Sequence, residues 1–463
     1  VTDRAVFHMD NAYDFGASRI DGVVCKTHLP SRTAFRGFGG PQGMFVCEDL
    51  VEKVAATIGV PAKDIRRANM YAEGALTPYL QPVTNYYVPR MWDSILETSE
   101  YARREAAVAE FNSAHRYRKR GLSIVPTKYG INFTAKFMNQ GGALVHIYTD
   151  GTVLVTHGGT EMGQGLHTKV LQVAAHTLGV PLESCHIDET STDKVPNASP
   201  TAASASSDIY GAATLDACRQ LNERLAPYVE KMPDATFRQR VTAAYFDRVN
   251  LSAQGFFATP VCGYDWAIED VTARGTPFAY YTQGVAVAEV EVDVLTGDHH
   301  VLRADILMDL GNSLNPVIDI GQIEGAFVQG AGWLTIEEAV WGDSAHKWVR
   351  PGMMFTQGPG TYKIPSFNDV PIDFRVALLH DTPNPAAIYS SKAVGEPPFF
   401  LACAVFLALR DAIGAARKDN GLEGHFVLDA PATAERIRMA IGDTIAAKTI
   451  AGDAAAFRAR GSW

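Results

Sequence analysis

Glu396 stands between Gly395 and Pro397, directly before the most apolar run in the chain. A carboxylate beside so much apolar surface suits a general base. It is also what a first-turn acid favoured by a helix dipole looks like. Arg4 and Arg36 each neighbour Phe or Gly. An arginine among aromatics can stack on and ion-pair with a planar anionic molecule, and it can equally be a surface ion-pair partner. Four segments of small residues accompany these groups: Phe35–Gly43, Gly158–Gly165, Ser199–Ser207 and Ala393–Pro398. The first, second and fourth run straight into predicted helices, and the third precedes one by several residues. Glycine lets backbone approach a ligand, and helix N-termini offer unpaired N–H groups to anions. Several such termini together could hold a large phosphate-bearing cofactor, although each alone matches an ordinary cap or turn. The second segment is no Walker loop, because Gly165-Leu166-His167-Thr168 lacks a lysine before the threonine.

The metal-binding residue types are dispersed. Cys25, Cys47, Cys185, Cys218, Cys262 and Cys403 are never closer than 22 residues, so no zinc or iron–sulfur spacing occurs. Among the 13 histidines only His299-His300 are adjacent, and adjacent side chains in a strand face opposite ways. Six cysteines in 463 residues do not make a disulfide framework, and a reducing cytoplasm is expected. Three Asn-X-Ser/Thr matches, at Asn132, Asn197 and Asn250, carry no weight in so short a pattern.

The long motifs resemble the xanthine dehydrogenase/xanthine oxidase family of molybdenum hydroxylases, in the later part of its molybdenum-cofactor region. The resemblance rests on Arg32-Thr33-Ala34-Phe35-Arg36-Gly37-Phe38-Gly39-Gly40-Pro41-Gln42-Gly43, on Thr156 through Lys169, on Ser199-Pro200-Thr201-Ala202-Ala203-Ser204, and on Lys392-Ala393-Val394-Gly395-Glu396-Pro397-Pro398. It runs from Arg4 to about Arg417.

The resemblance implies a molybdopterin-binding fold of the xanthine oxidase/aldehyde oxidase type. It implies that a molybdenum–pyranopterin cofactor, not side chains, ligates the metal. Positions matching Gly163, Gln164, Thr201, Ala202, Ala203, Ser204 and Ser206 would hold the cofactor, with Arg36 and Ala203 beside the molybdenum. Glu396 matches the catalytic base. Arg4 matches the arginine that binds the purine's oxygen, Phe38 and Phe133 the aromatic pair that packs on the ring, and Thr134 a hydroxyl beside it. The implied activity is hydroxylation of hypoxanthine and xanthine to uric acid, by base-assisted attack of Mo–OH and hydride transfer to Mo=S. A positioned base contributes about 10²–10⁴ in rate. A preorganised charge contact contributes about 10²–10³.

In the family a further glycine-rich motif and a second glutamate precede the position matching Arg4. The chain, which opens on Val1, is therefore expected to be one portion of a processed or split enzyme. Its partners would be the remaining molybdenum-domain portion, 2Fe-2S and FAD portions, NAD or oxygen as acceptor, and a second copy in a dimer. Two other readings are an aldehyde oxidase, which generally lacks the arginine matching Arg4, and a non-catalytic assembly subunit, which would have no need of Glu396.

The elements that must position these residues are only partly legible. The composition, 47% hydrophobic and 20% charged, is that of a globular chain. At roughly 150 residues per domain, its length suggests about three domain-sized units. A net charge of −10 argues against nucleic-acid binding. Pro397–Leu409, 13 residues, is short of the roughly 20 that span a bilayer, so a buried helix and no membrane are expected. After Pro41, apolar residues at helical spacing reach Ile58, and Gly59 ends the helix. A polar helix is expected over Ser94–Asn112, and others at Leu166–Leu178, Leu215–Lys231, Pro398–Arg417 and Ala430–Ile441. Asp150-Gly151 turns one hairpin, between Ala143–Tyr148 and Thr152–Thr156. Thr296-Gly297-Asp298 turns a second, between Val285–Val294 and His300–Met308. Strands and helices come in blocks, which predicts an α+β fold of mixed sheets with packed helices. The expected organisation is the end of a first cofactor-binding domain over 1–75, a Pro- and Tyr-rich linker over 76–92, and a second cofactor-binding domain over 93–463.

Overall fold

A computed structural model describes residues 1–451 apart from 28, 30, 32 and 261. Arg32, which opens the first long motif, and residues 452–463 therefore lie outside the described residues. Helices α1 (Thr2–Phe7), α2 (Gly40–Ile58), α3 (Ala62–Ala68), α4 (Val88–Thr98) and α5 (Tyr101–Ala114) lead to the long strand β1 (Arg118–Ile131). Next come β2 (Gln140–Ile147), β3 (Val153–His157), α6 (Leu166–Leu178), β4 (Cys185–Ile187), α7 (Ser206–Lys231), α8 (Phe237–Phe246) and β5 (Ser252–Ala258). Two short strands, β6 (Gly263–Tyr264) and β7 (Gly275–Thr276), pair before β8 (Tyr280–Asp293) and β9 (His299–Asp309). The chain ends in α9 (Pro316–Thr335), α10 (Gly358–Thr361), β10 (Asp373–Leu378), α11 (Cys403–Asp419), α12 (Ala434–Ile441) and α13 (Thr444–Ala451).

The fold is α+β, with two four-stranded mixed sheets. One has the order β1-β8-β9-β10 and the other β4-β3-β2-β5, each with a parallel pair at one edge. The first sheet is covered on both faces. Leu122 and Ile124 of β1 and Val285 and Val287 of β8 pack with Trp92 and Ile95 of α4. Val125, Tyr129, Ala286 and Ala288 face the other way, into a core with Phe327 of α9 and α11. Burial on both sides removes the polar–apolar alternation that marks a half-exposed strand. That is why β1, with Pro126 in its middle, gives no strand signal. The second sheet packs on α6 and α7.

Both expected hairpins form, and α6 matches its expected span. Helix α2 begins with Pro41 in its first turn and ends at Gly59 in the left-handed region. The single helix expected over Ser94–Asn112 is two helices. The break falls at Glu100, which is left-handed at φ 56°. Restarting the helix there turns Tyr101 and Arg104 inward, and Arg104 pairs with Glu289 and Asp305 at 2.8 and 2.7 Å. Helix α7 starts at Ser206, nine residues before the expected Leu215, so the third small-residue segment also abuts a helix. The expected Pro398–Arg417 helix opens as a 3-10 turn, Pro397–Ala402, because two successive prolines have no N–H to donate. Pro397–Asp419 is apolar and long enough to cross a membrane, yet 83% of its most apolar window is buried inside the protein. Likewise α12 begins at Ala434, where the Thr433 side chain caps it, rather than at Ala430.

Strand β1 and helix α11 meet at Gly121, where a β-carbon would collide with the Ala408 carbonyl. Gly121→Ala should lower unfolding free energy by about 1–3 kcal/mol, as overpacking does. Gly414, inside α11, has open space around a β-carbon. Gly414→Ala should raise stability by about 0.5–1 kcal/mol. Urea denaturation of the two variants checks both signs.

Candidate active site

Three side chains from the long sheet face one strip of chain. Tyr129 on β1 lies opposite Thr282 on β8, so their side chains share a face, together with Tyr280 two residues away. The Tyr280 hydroxyl accepts from the Ala393 N–H at 2.9 Å, and the Thr282 hydroxyl donates to the Ala393 carbonyl at 2.8 Å. The strip before Glu396 is thus gripped at one residue by both of its backbone groups. The Glu396 N–H donates to Ser204 Oγ at 2.8 Å, and Ser204 donates to Glu396 Oε2 at 3.3 Å. The same Oε2 accepts from the Tyr129 hydroxyl at 3.1 Å and stands 3.7 Å from Arg4 Nη2.

Arg4, on α1, is buried. Its guanidinium donates to the carbonyls of Asn132 at 2.9 Å and Gly130 at 3.2 Å, and to the Tyr129 hydroxyl at 3.2 Å. Burial pulls its pKa down, but Tyr129 and Glu396 together outweigh burial, so the cation is reinforced. Arg36 comes from the glycine-rich loop before α2. It donates to the Gly395 carbonyl and to Gln322 Oε1 of α9, the latter at 2.9 Å. Burial brings its pKa down to about 10 against the pull of Glu396, so it stays charged at neutral pH. Gly39 in this loop has φ 107°, and a β-carbon there would strike the Val1 carbonyl. The loop can pass so close to α1 only as glycine.

Arg4, Arg36, Ser204, Gln322 and Glu396 line one cavity of about 750 Å³, and so does every site residue expected from the sequence. Phe38 sits on its rim, 41% exposed. Phe133 and Thr134 follow β1. Asn139 fixes them by accepting from the Phe133 N–H at 2.9 Å and donating to its carbonyl at 2.8 Å. Gly163 and Gln164 belong to the loop before α6, and Thr201 through Ser206 lead into α7. The Thr160 N–H donates to Thr201 Oγ1 at 2.8 Å and ties the two loops together. Burial works against the Glu161 carboxylate, but the N–H groups of Gly163, Gly165 and His167 outweigh it and hold its pKa below the usual range. Lys169, Asp319 and Lys392 also line the cavity, and belong to two buried ion pairs, Lys169–Asp319 and Lys392–Asp309, both at 2.5 Å.

Sequence reasoning missed Tyr129, Asn139, Glu161, Tyr280, Thr282 and Gln322. All but Glu161 act on a site residue, or on Ala393 in the strip before Glu396, through a contact that local spacing does not reveal. Glu161 alone carried a signal, an acid among glycines just before a helix.

Residues 94–371 and 1–70 each match a family model described as a molybdopterin cofactor-binding domain. The chain belongs to the molybdopterin cofactor-binding domain family, and the resemblance carried by its glycine-rich motifs holds. It is 55% identical over 453 residues to xanthine dehydrogenase 1 of Arabidopsis thaliana, covering 98% of this chain and 33% of that protein. It is 54% identical over 446 residues to the xanthine dehydrogenase/oxidase of Mus musculus, with 96% and 33% covered. The chain therefore spans about a third of the length of the curated relatives it matches. Among solved structures, the aldehyde oxidoreductase from Desulfovibrio desulfuricans ATCC 27774 is 26% identical and superposes with a TM-score of 0.77, over 95% of this chain and 45% of that one.

The residues present fit a bulky pterin. Ala203 and Ser204 are both left-handed, at φ 56°, which turns their backbone at the cavity wall. A β-carbon at Gly163 would meet only open space. Small side chains thus leave backbone donors and acceptors facing the volume.

Asp208, one turn into α7, is buried at the cavity edge and bonded to the Tyr280 hydroxyl at 2.6 Å. Burial raises its pKa to about 7, against the opposing pull of that hydroxyl and of Lys169. The folded state keeps this proton up to about pH 7, whereas the unfolded chain loses it near pH 4. Its contribution to stability is complete below about pH 4 and is lost as pH rises through 7. Relative to Asp208→Asn, the wild type should lose on the order of 2–3 kcal/mol between pH 5 and 7 and nothing further above pH 8. Unfolding titrations across that range measure it.

Proposed function

We propose that this chain is the cofactor-binding catalytic portion of a xanthine dehydrogenase or oxidase that hydroxylates hypoxanthine and xanthine to uric acid. The observation that carries the reading is a buried arginine and a carboxylate, Arg4 and Glu396, 3.7 Å apart beside a cavity of about 750 Å³. Gly163, Gln164, Thr201, Ala202, Ala203, Ser204 and Ser206 would hold the pyranopterin, with Arg36 and Ala203 next to the molybdenum. When bound, the molybdenum–pterin group supplies the two-electron oxidant and the oxygen that ends on the purine. Glu396 takes the proton at its carboxylate. Arg4 binds the purine's oxygen and offsets negative charge that builds on the ring. Phe38 and Phe133 hold the flat ring in plane at little entropic cost. Thr134 donates beside it.

The relatives' threefold greater length supports partners in the form of the remaining molybdenum-domain, 2Fe-2S and FAD portions, with NAD or oxygen as final acceptor and a dimeric assembly. The matches over 1–70 and 94–371 support two cofactor-binding domains, 1–75 and 93–463, joined through 76–92. Six free cysteines, five of them buried, suit a cytoplasmic protein. The aldehyde oxidoreductase neighbour favours a second reading, oxidation of aldehydes at the same site. Arg4 discriminates, because an aldehyde has no distal oxygen for it to hold.

In the assembled, molybdenum-loaded enzyme, Glu396→Gln keeps the shape and removes the basicity. Reduction by xanthine, followed by stopped flow, should slow at least about 10²-fold with metal content unchanged. A rate within tenfold of wild type would remove Glu396 from the mechanism. Arg4→Met should raise the barrier for purine by roughly 2–4 kcal/mol and leave aldehyde oxidation nearly intact. Equal losses for both substrates would make Arg4 structural.

A further inference from the structure

We propose that Tyr129 is a positioning residue that keeps Arg4 and Glu396 from closing into a direct ion pair, an inference that rests on the roles given above to those two groups. Tyr129 is fully buried. Its hydroxyl accepts from Arg4 Nη2 at 3.2 Å and has two acceptors for its own proton, Glu396 Oε2 at 3.1 Å and the Gly37 carbonyl at 2.9 Å.

The distances across the molecule set this pair apart. Other well-buried pairs are in contact: Lys392–Asp309 and Lys169–Asp319 at 2.5 Å, Arg66–Glu48 and Arg104–Asp305 at 2.7 Å, Lys128–Asp10 at 3.1 Å. Arg4–Glu396, with side chains 5% and 13% exposed, stays at 3.7 Å. Opposite charges so shielded from water attract strongly, and arginine prefers direct, bidentate contact with a carboxylate. Something must hold them apart. The hydroxyl that touches both is the Tyr129 phenol.

The phenol is itself fixed. Its ring packs against His8, with centroids 4.6 Å apart. A β-carbon at Gly40 would press on its edge at 2.7 Å. The Arg4 guanidinium lies between the Tyr129 and Phe278 rings, 5.2 and 5.0 Å from their centroids. A closed pair would commit the carboxylate to Arg4. It would take the base from the incoming proton and the cation from the substrate in one movement. The second acceptor matters here: once Glu396 has taken a proton, the Gly37 carbonyl still satisfies the phenol, so the spacer does not have to move.

Tyr129→Phe in the assembled, molybdenum-loaded enzyme keeps the ring, the His8 packing and the cation–π contacts, and removes the hydroxyl alone. Reduction at saturating aldehyde is followed by stopped flow in the wild-type and Arg4→Met backgrounds, each Tyr129→Phe variant being compared with its own parent. In the wild-type background the variant should be slowed about tenfold, with unchanged metal content. In the Arg4→Met background, with no cation to close on Glu396, the same substitution should cost less than about twofold. A wild-type rate in the first background overturns the proposal. So does an undiminished tenfold loss in the second, which a purely structural role or an effect on Glu396 alone would give. The Glu396→Gln variant separates this failure from failure of the underlying reading: if it is active the roles themselves are wrong, and if it is inactive while Tyr129→Phe is normal only the spacer is wrong.

Discussion

A cation and an anion held close, buried and not joined are the constraint on which the site's architecture turns. Arg4 cannot be left uncompensated at 4% exposure, because an unpaired buried charge costs several kcal/mol. Its compensation is spread over two backbone carbonyls, a phenol, two aromatic faces and a carboxylate just out of contact. That distribution leaves Glu396 less than fully committed.

The arrangement depends on strand register. Tyr129 pairs with Thr282, and the two hydroxyls act at Glu396 and at Ala393 on the same connecting strip. Moving β1 by one residue would carry the Tyr129 side chain to the opposite face, where α4 packs. The apolar residues enforce the register: Val125 and Ile124 belong to different cores on the two sides of the sheet, and a one-residue slip would turn each to the opposite face. The hydrophobic cores thus determine where the phenol stands, and the phenol determines where the charges stand.

What the sequence disclosed divides along the same line. Most groups that face the cavity lie in long contiguous motifs, Arg4, Phe133 and Thr134 apart: the loop through Arg36 and Phe38, the loop through Gln164, the Thr201–Ser206 turn and the strip ending at Glu396. The Gly59 helix end and both hairpins were equally legible, because their signals lie within a few residues, whereas the starts of α7 and α12 were misplaced. Strand β1 was not, since its two-sided burial erases alternation, and neither was α9, which is apolar around most of its circumference. The supports were illegible for a different reason. Tyr129 reaches Glu396 across 267 positions and Asn139 clamps Phe133 through its backbone, so neither leaves a local pattern. Ser204, read from the sequence as a cofactor contact only, also caps the Glu396 amide.

Helix α1 shows how far the site depends on its supports. Six residues are too few for a helix to persist alone, because nucleation costs more than one turn of hydrogen bonds returns. Its position comes from elsewhere. Gly43 of α2 lets the Ala5 carbonyl approach so closely that any β-carbon would collide with it. His8, just past the helix, accepts from the Gly130 N–H at 3.1 Å, while Arg4 donates to the Gly130 carbonyl. One peptide-bearing residue of β1 is therefore held through both of its polar groups by the two ends of a single helical turn. Arg4 is thus held by contacts with β1, so the position of this buried cation depends on a strand 125 residues away from it in sequence.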